Sequence, residues 1–302
     1  MDRWRVVFSS CETLTRTRRD LRARRGAALV APFQIVLRGV FSVFFPSECR
    51  LCRTPLGNVS TIPVCDECVA EIHPLRAPQC VICGDRMVSA HLLMGDGRCV
   101  NCRDSAPAFE RAVSFGAYDD NLRGLIHLLK YENVTPVAGL LGGMMAQAVE
   151  ELLVTCSGST PWIMPVPLHK SRRRTRGFNQ AELIARAASR RLRTKLEVAS
   201  DVLVRHRETI SQVGLSREER IANVHGAFRV TDRHAINGRD IIVVDDVMTT
   251  GTTLSECARV LKEAGAKRVW AATVARAFQD GHGFADGSEQ EEIEAESVVA
   301  SV

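Results

Sequence analysis

The chain has 302 residues, 45% of them apolar and 25% charged, with a formal net charge of +5. That balance excludes a mainly disordered, a collagen-like or a polytopic membrane protein. Two Tyr and three Trp are too few for an aromatic platform that stacks single-stranded bases.

The charge is unevenly spread. Residues 1–31 carry eight arginines against Asp2, Glu12 and Asp20. Gly26 to Phe45 is mostly apolar and follows Arg24 and Arg25, so it resembles a leader with a basic start. Pro32, Gln34 and Arg38 interrupt it, and no small-residue cleavage pattern precedes Cys49. It is also too broken for a membrane span. The expectation for residues 1–45 is a basic extension with an amphipathic helix, no stable membrane span, and a cytoplasmic protein.

Eight of the eleven cysteines form four C-x-x-C pairs, Cys49/Cys52, Cys65/Cys68, Cys80/Cys83 and Cys99/Cys102, within residues 49–102. Such regular pairs in a chain this long read as metal ligands rather than disulfides. Each pair places two thiolates on one tight turn, and two pairs complete a tetrahedral zinc site. Pro55, Gly57, Asn58, Gly84, Gly95 and Gly97 supply turns between short strands. Sequential pairing gives two tandem ribbons and is preferred because each unit closes locally; a cross-brace is the alternative. With all four positions thiolate, the sites are structural Zn²⁺ sites, with an iron–sulfur cluster as the competing assignment. The module spans 46–105 and ends in the linker Ser105-Ala106-Pro107-Ala108. Cys11, Cys156 and Cys257 stand alone and read as small hydrophobes or, for Cys11, an exposed spare.

In the helix Leu122–Glu132, Leu122, Leu125, Ile126 and Leu129 have core spacing. Packing explains it, and His127, Lys130 and Tyr131 receive no chemistry. Trp162–Met164 reads as a strand ending in the turn Pro165-Val166-Pro167. A basic loop follows with Lys170, Arg172, Arg173, Arg174 and Arg176, cations that cannot pair internally and match an anion. A helix from Gly177 carries Ala181, Leu183, Ile184, Ala187 and Ala188. With Arg186, Arg190, Arg191, Arg193 and Lys195 behind it, nucleic acid is a second natural partner. Ser216 and Glu219 form a capping box.

Ile241–Val244 are four β-branched apolar residues, the pattern of a strand buried on both faces of a parallel sheet. Asp245 and Asp246 come at its C-terminal end, where ligands bind in open α/β sheets. Thr249, Thr250, Gly251, Thr252 and Thr253 form a hydroxyl-rich loop before a helix from Leu254 to Ala264, a setting that suits a phosphate. Carboxylates beside it suit sugar hydroxyls and Mg²⁺. No Walker loop and no three-glycine dinucleotide motif occurs in the chain. Beyond Arg276 there is no Lys or Arg, while Asp280, Asp286, Glu289, Glu291, Glu292, Glu294 and Glu296 follow. Residues 279–302 read as an acidic, disordered tail.

The run VVDDVMTTGTTL at Val243–Leu254 resembles the phosphoribosyl pyrophosphate (PRPP) signature of type I phosphoribosyltransferases. FFPSECRLC at Phe44–Cys52, PVPLHKSRRRTRGFNQA at Pro165–Ala181 and QVGLSREERIANVHGAF at Gln212–Phe228 narrow the resemblance to the ComF (competence protein F) family, over residues 40–276. It implies a type I phosphoribosyltransferase fold at 110–278, α/β with a mostly parallel central sheet, behind the double zinc ribbon. Asp245 and Asp246 would be the catalytic pair at the ribose 2′- and 3′-hydroxyls, Thr249 to Thr253 the 5′-phosphate loop, and Lys170 to Arg176 a flexible pyrophosphate loop. Mg²⁺ would accompany PRPP. Gln212, Arg217, Arg220 and Asn223 would lie in a hood over the ligand, and Asn179 and Gln180 are candidates for the acceptor pocket. The implied context is DNA uptake, with single-stranded DNA and competence proteins as further partners. The other reading is a non-catalytic accessory factor that takes PRPP or a nucleotide as a regulatory ligand.

Overall fold

A computed structural model describes residues 48–57, 60–76, 78–87, 96–156, 158–210 and 216–278. The expected N-terminal helix, the acidic tail, Cys11 and Gln212 lie outside the described residues. Of the described residues, 48–49, 53–57 and 60–63 belong to one compact unit, and 50–52 with those from 64 to 278 belong to the other.

In the smaller unit the described chain turns sharply after Cys49. Arg53 N–H donates to the Cys49 carbonyl at 2.9 Å, Cys49 N–H donates to Thr54 at 2.8 Å, and Glu48 bridges Pro55. The larger unit repeats this knuckle position for position: Gly84 donates to Cys80 at 2.9 Å, Cys80 donates to Asp85 at 2.8 Å, and Gln79 bridges Arg86. The fourth residue after the first cysteine is left-handed both times, Arg53 at φ 65° and Gly84 at φ 68°. A short helix completes each repeat and starts at a cysteine cap: α1 (Asp66–Ala70) after Cys65 and α2 (Val100–Asp104) after Cys99.

The rest of the larger unit is built on a parallel sheet. Its strands are β1 (Ala112–Ala117), β2 (Trp162–Pro165), β5 (Asp240–Met248) and β6 (Arg268–Arg276), in the order β1-β6-β5-β2. All three pairings are parallel. Val198 bridges Ile163 in parallel and extends the sheet beyond β2. Ile241 to Val244 are fully buried, as a strand covered on both faces requires. After β1 come α3 (Asp120–Lys130) and α4 (Val137–Leu153); after β2 come α5 (Lys170–Arg176) and α6 (Gln180–Ser189). A two-stranded antiparallel ribbon, β3 (Leu203–Arg205) with β4 (Phe228–Val230), brackets α7 (Arg217–Val224). The short α8 (Arg233–Ile236) precedes β5, and α9 (Thr252–Glu263) joins β5 to β6.

This topology locates a crevice. The chain leaves β2 outward toward Val198, whereas it leaves β5 inward toward β6. Connections that diverge from adjacent parallel strands open a cleft at their carboxyl ends, the general ligand position in such sheets.

Three expectations need correction. The helix expected at Leu122–Glu132 spans Asp120–Lys130 and follows β1, whose residues Ala112–Ala117 pair with β6. Lys170–Arg176 is a helix rather than a loop: the His169 side chain accepts from Ser171 N–H at its start, and Gly177 closes it at φ 80°. The basic run hides a capped turn that charge counting does not register. The helix expected from Gly177 starts at Gln180, capped by Asn179.

Candidate functional site

β5 carries both carboxylates inside the strand, so Asp245 and Asp246 project to opposite faces of the sheet. Asp246 is buried against α3, where Lys130 Nζ lies 3.0 Å from its Oδ2. Burial by itself would raise the Asp246 carboxyl, but the Lys130 ammonium and the more distant Arg176 hold it below its ordinary value. Lys130 is raised in turn: burial opposes its charge and Asp246 outweighs burial. Asp245 goes the other way, pushed well above the usual carboxylate range by burial and by the neighbouring Asp246. The pair is thus asymmetric, Asp246 held low by Lys130 and Asp245 raised by burial and by Asp246.

Around Lys130 stand both tyrosines of the chain. Tyr118 Oη lies 2.9 Å from His127 Nε2, and the His127 ring meets Tyr131 edge-on at 5.3 Å between centroids. Burial, then Lys130 and Arg123, lower His127 to about 4, so it is neutral near pH 7. The Arg176 guanidinium sits 5.5 Å from the centre of the Tyr131 ring and donates to Gln180 Oε1 at 3.0 Å.

The helix geometry of α5 sorts its five cations. Arg172 and Arg176, four residues apart, are half-buried on one side, while Lys170, Arg173 and Arg174 are exposed. Arg173 reaches Glu182 at 4.0 Å. Ser171 donates to Glu208, which ties the start of α5 to the segment after β3. There Arg205 is 8% exposed, lies over the Phe228 ring at 5.5 Å, and donates to Thr209 Oγ1. Burial, then the nearby Arg172 charge, depress it. Asp245 faces this side and partly opposes that depression.

The Thr/Gly segment forms the turn from β5 into α9. Gly251 caps α9 at φ 77°, a left-handed conformation that favours glycine. A Cβ on it would stand 2.5 Å from Met248 Cε. Thr250 and Thr252 share a hydroxyl hydrogen bond of 2.6 Å at the start of α9. Arg220 Nη1 donates to Thr249 Oγ1 at 3.1 Å, so α7 closes over the loop through one guanidinium. Ser216 and Glu219 form the expected capping box at the head of α7.

Two further candidates make local hydrogen bonds, and two of the isolated cysteines are buried. Asn179 is buried, accepting from Ala181 N–H at 3.1 Å and donating to the Val166 carbonyl at 3.0 Å. Asn223 clamps Ile210 by two hydrogen bonds, 3.2 Å and 3.0 Å. Cys156 and Cys257 are buried thiols.

The eight paired cysteines collect sequentially, Cys49, Cys52, Cys65 and Cys68 in one group and Cys80, Cys83, Cys99 and Cys102 in the other, with all sulfurs of a group within 4.8 Å. Cys52–Cys65 and Cys83–Cys99 are each 3.6 Å apart. Zn–S bonds of about 2.3 Å place tetrahedral sulfurs about 3.8 Å apart. Both groups fit a closed structural zinc site.

Sequence reasoning passed over Lys130, Tyr118, Tyr131 and Arg205. A lysine ending an amphipathic helix reads as a complement to the helix dipole, and nothing local signals that it reaches a carboxylate on a distant strand.

A parallel α/β sheet with an acidic pair and a phosphate-type loop at its switch point, behind two four-cysteine ribbons, defines a type I phosphoribosyltransferase fold with a double zinc ribbon. The phosphoribosyl transferase domain family matches residues 179–298, and the double zinc ribbon domain matches 40–103. The chain is 33% identical over 227 residues to the DNA utilization protein YhgH of Escherichia coli K12, covering 74% of this chain and 94% of that protein. Against competence protein F of Haemophilus influenzae the identity is 30% over 236 residues, 78% of this chain and 99% of that protein. Competence protein ComFC of Bacillus subtilis is 26% identical over 67% of this chain and 79% of its own length. The chain belongs to the ComF family. Among the described residues, no helix is long and apolar enough to cross a membrane.

Proposed function

We propose that the crevice between β2 and β5 binds PRPP with Mg²⁺ and that the protein is a phosphoribosyltransferase-type member of the DNA-uptake machinery. The observation that carries this is the asymmetric acidic pair beside the Gly251 turn. Asp246, kept ionised by Lys130, accepts hydrogen bonds from a ribose hydroxyl. Asp245, raised by burial and by Asp246, lies on the other face of the strand, nearer Arg205, and is the second carboxyl of the pair. The turn 249–253 offers amides and hydroxyls to the 5′-phosphate. Arg172 and Arg176, half-buried on one side of α5, would hold the diphosphate, and Mg²⁺ bound with it would supply further charge neutralisation. These residues position and stabilise; no covalent intermediate on the protein is needed. Zinc in the ribbons would supply folding energy and no chemistry.

Calorimetric titration of the zinc-loaded protein with PRPP and Mg²⁺ tests the reading. Binding is expected for the intact chain and at least about tenfold weaker binding for Asp245→Asn/Asp246→Asn, given the strength of charge-assisted hydrogen bonds. Equal affinity of the two proteins would refute it.

The exposed Lys170, Arg173 and Arg174 support a second reading, a face that takes DNA phosphates while PRPP acts as a regulatory ligand. It predicts steeply salt-dependent binding of single-stranded DNA that PRPP alters and no pyrophosphate release.

A further inference from the structure

The second zinc group and the phosphate-type turn share one core. Cys80, Cys83, Cys99 and Cys102 lie in the same buried cluster as Phe109, Met248, Leu254 and Cys257. From Cys102 the chain runs through the end of α2 to Ala108, whose N–H donates to Ser255 Oγ at 3.0 Å, in the first turn of α9. The next residue, Phe109, is 3% exposed. Its ring tip, Cζ, comes 3.7 Å from where a Cβ on Gly251 would stand, a van der Waals separation, so the ring lies beside the turn. A second strut comes from β6. Arg276 pairs in register with Met248, the residue beneath Gly251, and its Nη2 reaches Asp85 of the second knuckle at 3.6 Å. Arg276 is 4% exposed, and its Nε and Nη1 have no hydrogen-bond partner among the described residues. The turn is therefore held from two directions by what surrounds the second cysteine group.

We propose that Ala108 and Phe109 are positioning residues for the phosphate turn, held in place by zinc at Cys80, Cys83, Cys99 and Cys102, so that zinc at this group and ligand at the turn favour one another. The ligand half of this statement rests on the PRPP reading above. The physical basis is that cores close-pack and do not deform continuously. If the knuckle loosens, Phe109 retreats, and Gly251 loses the wall that keeps its left-handed turn and the adjoining amides in place. Linkage then runs both ways: whatever zinc does to ligand affinity, ligand does to zinc affinity.

The test uses the full zinc-loaded chain with Phe109→Ala, Phe109→Leu and Ser255→Ala, which leave every cysteine intact. Metal content, PRPP–Mg²⁺ affinity by calorimetry, and hydrogen exchange of the Thr249–Thr253 amides are measured on each. Phe109→Ala is expected to keep two zinc ions, bind PRPP about tenfold more weakly, and exchange the turn amides faster, a factor within the usual span of coupled sites. Phe109→Leu, which refills the volume, should recover to within about threefold. In the wild type, saturating PRPP should slow chelator-driven loss of one zinc ion by a similar factor. Unchanged affinity and exchange in Phe109→Ala, or zinc release indifferent to PRPP, would overturn the proposal. Should the wild type bind no PRPP, the ligand reading falls by itself, and amide exchange in Phe109→Ala still decides whether the turn is positioned from the zinc group.

Discussion

Lys130 and Asp246 form a buried ion pair, 15% and 6% exposed at their side chains, and such pairs are costly to break one partner at a time. Lys130→Met should lower unfolding stability by about 3–5 kcal/mol, and adding Asp246→Asn should restore most of it, because the uncompensated charge is then gone. Urea denaturation of both variants measures this; a single variant as stable as the wild type would show the pair to be solvated. The same cluster predicts a pH dependence. His127 falls to about 4 in the folded chain against about 6.5 unfolded, so between these values the unfolded state binds more protons. Stability should therefore fall as pH drops from about 6.5 toward 4. His127→Gln should flatten that part of the thermal-midpoint profile, and an unchanged profile would rule His127 out. None of this was legible in the sequence. The spacing of Leu122, Leu125, Ile126 and Leu129 accounts for the helix by packing alone, and a long-range ion pair leaves no local pattern. Asp245, Asp246 and the threonine run were legible, because a strand end followed by hydroxyls and glycine has few other uses.

At the scale of elements, α5 is where the reading changed most. Five cations in seven residues suggested a loop with interchangeable contacts, yet the helix turns Arg172 and Arg176 inward and leaves Arg173 and Arg174 in solvent. Charge composition cannot resolve that division; the caps at His169 and Gly177 create it. Replacing Arg172 and Arg176 with Ala should weaken pyrophosphate–Mg²⁺ binding by about tenfold or more, the loss of charge-assisted contacts. The Arg173/Arg174 double variant should stay within about twofold for pyrophosphate while reducing the salt slope of single-stranded DNA binding by about one to two. Fluorescence titrations across a salt series separate the two faces, and equal effects from both pairs would contradict the sorting. The same logic applies to Arg205, whose burial depends on a β3–β4 ribbon too short to be recognised from three-residue strands.

At the scale of the molecule, the two ribbons are one design used twice: a left-handed residue four positions after the first cysteine, a hairpin bridge, and a helix capped by the third cysteine. The C-x-x-C spacings made two tetrahedral sites legible and favoured their sequential pairing, because a knuckle is a local object. They carried no sign that the second ribbon enters the core of the sheet domain, since Phe109 and Met248 meet only after the whole α/β unit has folded. Family membership accords with both halves of the chain, the ribbons at 40–103 and the transferase domain at 179–298. At the carboxyl ends of β2 and β5, Asp246 and the Gly251 turn flank the crevice proposed to take PRPP, with Asp245 on the other face of β5. Phosphorus NMR of PRPP during titration with zinc-loaded protein and Mg²⁺ tests that proposal most directly, because the 5′-phosphate and the diphosphate resonate separately. The account predicts that all three signals broaden or shift with the intact chain, and that Gly251→Ala, which forces a Cβ into Met248 and the turn, removes the 5′-phosphate response. Unperturbed phosphorus signals at saturating protein would contradict it.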